Sequence, residues 1–180
     1  KIESPVQEEL FPPCIKLCLK GMEDGKKRAV FTIILFLGKL GWTKSAVQSF
    51  LLKWNKEFNP EPLRENYIIG QMRYFKPGSK LPPNCDNPAY YTAIGVCKPD
   101  GLCKKIKNPV NYSLIKLRIK RQYDEEKKIE DGKRLRKEER EQKKKEAVER
   151  KIEKIKLTAE KSAAEELITI PGDNFNDHKE

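Results

Sequence analysis

The sequence predicts an all-α fold with an irregular cysteine-rich segment, followed by a long charged helical extension. Three observations predict it. Apolar residues recur at helical spacing between positions 13 and 74. Residues 76–110 break into turns of proline, glycine and asparagine, and hold three of the five cysteines. Beyond residue 114 the chain is nearly continuous charge with sparse apolar residues.

The elements follow in order. Residues 1–11 read as a short polar lead. Pro12 and Pro13 open a helix, where proline's fixed φ and missing N–H are tolerated. Cys14, Ile15, Leu17, Cys18 and Leu19 form its apolar side. Gly21 to Gly25 make an acidic loop. Residues 26–40, KKRAVFTIILFLGKL, predict a buried helix with a basic opening, ended by Gly41. Thr43 caps the next helix, which runs to about Phe58 with Val47, Phe50, Leu51 and Trp54 on one face. Asn59-Pro60-Glu61-Pro62 breaks the chain. A further helix spans about 62–74, with Leu63, Tyr67, Ile68 and Met72 inward. Within 76–110 only Pro88 to Ile94 fits a short helix. From Leu114 to about Thr169 the pattern is helical, interrupted at Asp131-Gly132, and residues 171–180 read as disordered. The domains expected are therefore 11–113, 114–170 and 171–180. The chain begins at Lys1 and reads as part of something longer.

Charge narrows the partner. The 38 basic and 27 acidic residues leave a net charge of +11. Residues 1–110 hold 18 basic and 10 acidic residues, whereas 111–180 hold 20 and 17. The excess thus sits on the folded part, with both tryptophans and six of the seven phenylalanines. A polyanion is implied: nucleic acid or an acidic membrane surface. No apolar run approaches the ~20 residues of a membrane span, and no signal peptide is visible. Lys27, Arg28, Lys39 and Arg73 interleave with Trp54 and Tyr67, which suits phosphate neutralisation and base stacking on a single strand. The alternative for Trp54 is core packing, and for Arg28 a solvated surface charge. There are no paired catalytic carboxylates and no phosphate-cradling glycine loop, so no catalytic site is expected in this chain.

Five cysteines, an odd count without a signal peptide, argue for metal ligation over disulfides. Cys85, Cys97 and Cys103 lie in turns. Cys14 lies at a helix start, where the dipole favours a thiolate and a lowered pKa is expected. Cys18 reads as a buried free thiol. No Cys-x-x-Cys knuckle is present, and the single His178 is far from the cysteines. Spacing alone leaves zinc and a four-iron cubane both open.

The segments FPPCIKL, GKLG, WNKEF, NYIIGQMRY, PPNC, GVCKPDGLC and KNPVNYS occur in an order that resembles the C-terminal domain of the archaeal and eukaryotic DNA primase large subunit. The likeness covers about residues 11–113 and is nearer the archaeal form, since the last three cysteines are closely spaced. It implies a helical iron–sulfur domain whose [4Fe–4S] cluster is held by Cys14, Cys85, Cys97 and Cys103, with zinc as the alternative. It also implies a non-catalytic role in primer initiation during DNA replication. The partners would be single-stranded DNA template and primer, and a primase small catalytic subunit or a catalytic domain on the same polypeptide. Trp54 resembles the family's tryptophan near the template, and Tyr67 a tyrosine that meets nucleotide. Arg28 stands in the helix that carries a template-contacting arginine. The family's arginine–histidine pair is replaced by Gln71, Met72 and Arg73, without a histidine. An archaeal source implies the cytoplasm and nucleoid, a eukaryotic one the nucleus. The rival functions are a zinc-stabilised nucleic-acid-binding module and a redox iron–sulfur protein.

Overall fold

At the centre lies the helix that the sequence marks as most apolar. In the computed structural model, which describes residues 2 and 4–168 with side chains through 161, α1 spans Pro13–Leu19, α2 Lys26–Lys39, α3 Lys44–Phe58, α4 Glu65–Arg73 and α5 Pro109–Ile168. There is no strand among the described residues. Every residue of α2 from Thr32 to Gly38 is buried, and the helix packs against α3 and α4. Its exposed positions are Lys27, Arg28 and Phe31, with Lys26 and Lys39 half-buried at its two ends. Gly25, at the N-cap of α2, has φ 73°, and a side chain there would meet Ile94 at 2.5 Å. Glycine thus lets the start of α2 press against the cysteine-rich segment.

The caps follow their sequence signals. Pro13 sits at the first turn of α1. Thr43 Oγ1 accepts the Ala46 N–H at 3.2 Å to cap α3. Val47, Leu51 and Trp54, at steps of four and three, bury one face of α3. Asn55 then clamps the break after α3: its Nδ2 donates to the Leu63 carbonyl and its Oδ1 accepts from the Leu63 N–H, both at 2.8 Å.

Two segments differ from the sequence reading. The polar lead is docked. Val6 is buried and its N–H donates to the Leu40 carbonyl at 3.0 Å, while Trp42 Nε1 donates to the Val6 carbonyl at 3.0 Å. Phe11 meets the edge of Phe36 at 4.9 Å. Two apolar residues in a polar run carry no periodicity, so only packing reveals them. The last helix begins at Pro109, five residues before its predicted start, and continues through Asp131-Gly132. Asn108 Oδ1 accepts the Val110 N–H at 3.1 Å, and Pro109 takes the first turn. The Asn-Pro pair is thus a cap and helix start rather than a bare turn. A glycine costs a helix interior only about 1 kcal/mol, and Arg134 bridges Asp131 and Glu138 at 3.0 and 3.9 Å across it. The predicted disordered end at 171–180, with His178, lies outside the described residues.

The chain forms two compact units that part between Tyr123 and Asp124. The second is the charged helix, whose side chains through 161 are almost all exposed. A protein ended after Tyr123 is expected to keep the near-UV circular dichroism and melting temperature of the full chain. A drop of more than a few degrees would show that the helix supports the first unit.

Candidate metal centre and nucleic-acid interface

Four of the five cysteines line one cavity. Cys14 comes from α1, Cys85, Cys97 and Cys103 from the turn-rich segment, and together with Tyr91 and Ile106 they wall a space of about 380 Å³. Backbone hydrogen bonds hold each turn. Cys85 N–H donates to the Lys107 carbonyl at 2.9 Å, and Cys97 N–H to the Tyr91 carbonyl at 3.0 Å. Cys103 N–H donates to Asp100 Oδ1 at 2.9 Å. Cys18 is buried and absent from the cavity wall, and its carbonyl accepts the Trp54 indole N–H at 3.0 Å.

The arrangement bears on what the cavity could hold. A single zinc draws thiolates to about 2.3 Å from one point. Four thiols on the walls of one cavity are a donor set that structural zinc also takes, and thiolate-only ligation is equally the chemistry of an iron–sulfur cluster. The donor set fits such a cluster.

The electrostatics correct one expectation. Cys14 lies in the first turn of α1, yet its pKa is raised, by burial first and then by Cys18 and Cys85. A seven-residue helix offers little dipole against that desolvation, and only the Ile15 N–H opposes it. Burial and the neighbouring Cys103 and Cys97 push Cys85 from 9.0 up to about 11. Burial takes Cys18 from 9.0 to about 12. Such thiols are neutral in the metal-free protein near neutral pH, so ligation must expel their protons. A raised folded-state pKa contributes stability that is present below the unfolded value and lost as pH climbs through the folded one. The metal-free protein is therefore expected to lose stability between pH 9.0 and about 11. Urea midpoints measured across that window check this, and Cys85→Ser should flatten part of the slope.

Sequence reasoning missed three residues here. Tyr91 is 2% exposed, donates its hydroxyl to the Pro83 carbonyl at 2.9 Å and receives the N–H groups of Val96 and Cys97 on its own carbonyl. Asp100 accepts from Leu102 and Cys103 N–H on one oxygen and from the Tyr112 hydroxyl at 2.7 Å on the other. Those bonds, the Cys103 amide foremost, hold its pKa down to about 2. The Asp three residues before Cys103 is a local capping pattern, but Tyr112 is reached only through the fold.

Beside the cavity runs a basic and aromatic surface. Lys27 and Arg28 are exposed on the first turn of α2. Lys27 Nζ lies 5.6 Å from the centroid of the Tyr67 ring. Arg28 donates to the Ala89 carbonyl at 3.1 Å. Phe31, one turn beyond Lys27 and 39% exposed, stacks on Tyr90 at 6.0 Å and 29°. Phe31 and Tyr90 were not singled out from the sequence, because an apolar residue inside KKRAVFTIILFLGKL reads as core. Tyr90 of this surface and Tyr91 of the cavity are consecutive, so one short turn serves both.

The other predicted contacts fall differently. Trp54 is 2% exposed with its indole N–H satisfied; it is a core residue, and its assignment to the nucleic-acid surface is corrected. Lys39 closes α2 roughly 18 Å from Lys27 at the helical rise. Arg73 is exposed at the end of α4, roughly 9 Å along the helix from Tyr67.

Fold and site together define a small all-α domain built around a four-thiol cavity, with a cationic aromatic surface next to it. Among curated proteins, the DNA primase large subunit PriL of Thermococcus kodakarensis is 28% identical over 153 residues, covering 63% of this chain and 38% of that protein. PriL of Methanosarcina mazei is 32% identical, covering 67% of this chain and 32% of its own. PriL of Methanococcoides burtonii is 30% identical, covering 71% and 35%. The chain is a homologue of the archaeal DNA primase large subunit, and it spans about a third of the length of these relatives. No family profile and no solved structure matches it. No helix among the described residues is long and apolar enough to cross a membrane.

Proposed function

We propose that this chain is the non-catalytic iron–sulfur domain of a DNA primase large subunit, binding template and primer and assisting primer initiation in replication. The observation that carries the reading is the convergence of Cys14 with Cys85, Cys97 and Cys103 on one cavity across some seventy residues of chain. A [4Fe–4S] cluster ligated there would supply a rigid covalent joint between α1 and a segment with little core of its own. The residues around it then have distinct roles. Tyr91 shapes the Cys97 turn. Lys27 and Arg28 neutralise phosphates, and Phe31, Tyr67 and Tyr90 offer ring faces to unpaired bases. Nucleotidyl transfer would belong to a small catalytic subunit or to another domain, and the site of action to the archaeal nucleoid.

The test is anaerobic purification or reconstitution with ferrous iron and sulfide, then measurement of iron, sulfide and visible absorption. About four iron atoms per chain, with the absorption of a cubane, is the expected result. Stoichiometric zinc without iron would overturn the cluster. Fluorescence anisotropy of the loaded protein should show tighter binding to a primed template than to a blunt duplex of equal length.

A further inference from the structure

The amides of three of the four cavity cysteines are occupied, but not by like partners. Cys85 and Cys97 donate to neutral carbonyls. Cys103 donates to a carboxylate, that of Asp100, which also takes the Leu102 N–H. The far oxygen of the same carboxylate receives the hydroxyl of Tyr112, a buried residue in the first turn of α5. Asp100 thus joins the Cys103 turn to α5 and stands beside the thiol. The phenol fixes which way the carboxylate faces. A thiolate at Cys103 would then have a fixed negative charge next to it, with its own N–H turned to that charge and a single donor, the Asp100 N–H, on the sulfur. Reduction potentials of iron–sulfur clusters depend on local charge and on hydrogen bonds to sulfur.

We propose that Asp100, anchored by Tyr112, is the positioning residue of Cys103, and that its charge holds the potential of a bound cluster down while the tether slows the cluster's loss. The inference rests on the cluster reading above. In the electron step an external electrode gives one electron to the cluster or takes one from it, and no bond is made or broken. Lowering follows because an adjacent negative charge disfavours the more reduced, more negative cluster.

The experiment is protein-film voltammetry and timed iron release to a chelator, on the full chain loaded anaerobically. Asp100→Asn keeps the size of the side chain and an oxygen for both N–H groups but removes the charge. It should hold wild-type iron and shift the midpoint potential to more positive values. Tyr112→Phe keeps the charge and loses the anchor. It should release iron several-fold faster. An Asn variant at the wild-type potential, or a Phe variant that releases iron at the wild-type rate, overturns the proposal. If the Asn variant fails to load, Asp100→Glu must restore both iron and potential, and failure to do so is equally fatal. Wild-type protein that takes up no iron sinks the cluster reading itself. Wild-type protein that loads, with variants indistinguishable from it, sinks only this inference.

Discussion

Serine at any one of Cys14, Cys85, Cys97 or Cys103 should abolish stable iron retention, whereas Cys18→Ser should keep a full complement. The four share one cavity, and Cys18 is outside it. Hydroxyl is a poor substitute for thiolate on iron, and a three-ligand site exposes the cluster to loss. The consequence for the fold should be local. Residues 76–107 contain only two single turns of helix among loops, so without the joint they should become the first site of proteolysis. Residues 26–74 should keep their helicity, because α2, α3 and α4 have a core of their own. Cys18→Ser has a different cost. It places a hydroxyl in a fully buried apolar position, worth about 1–3 kcal/mol of stability if unpaired, with iron unaffected. Iron analysis alongside limited proteolysis separates the two behaviours. Iron lost from Cys18→Ser and kept by Cys14→Ser would reassign the fourth ligand.

Nucleic-acid affinity should depend on Lys27, Arg28, Phe31 and Tyr67, with two signatures. Lys27→Ala should weaken binding for all sequences alike and shallow the salt slope by about one unit, as loss of one phosphate contact does. Phe31→Ala and Tyr67→Ala should cost ~1–3 kcal/mol each with little change in slope. Because Lys27 lies over the Tyr67 ring, their double mutant should be less than additive. Arg28→Ala combines two losses, a phosphate contact and the tie to the Ala89 carbonyl, and so should exceed Lys27→Ala. Trp54→Phe is the internal control. It removes the bond to the Cys18 carbonyl, costing about 1 kcal/mol of stability, and should leave the salt slope alone. Anisotropy titrations at several salt concentrations measure all of these. Binding unchanged by the surface substitutions, yet abolished by removing residues 124–180, would transfer the activity to the charged helix.

The sequence by itself determined the helices that carry their own periodicity and caps. Val47, Leu51 and Trp54 recur at helical steps, Thr43 and Pro13 are local start signals, and the apolar run of α2 can only be buried. It also determined which thiols lie in turns, and the family order singled out Cys14. Tertiary structure decided what has no local signature. Phe31 escapes the core because α2 is covered on its other faces, and Trp54 does not escape because it packs inward with its indole N–H on the Cys18 carbonyl. Val6 and Phe11 are core residues only because α2 and the chain beyond it pass beside them. Tyr112 reaches Asp100 because the last helix starts five residues early, at Pro109, and turns that ring inward. The Cys14 thiol shows the same division most clearly. Its place in a helix's first turn is local and favours the thiolate, but burial is a property of everything packed around it, and desolvation outweighs a short helix's dipole.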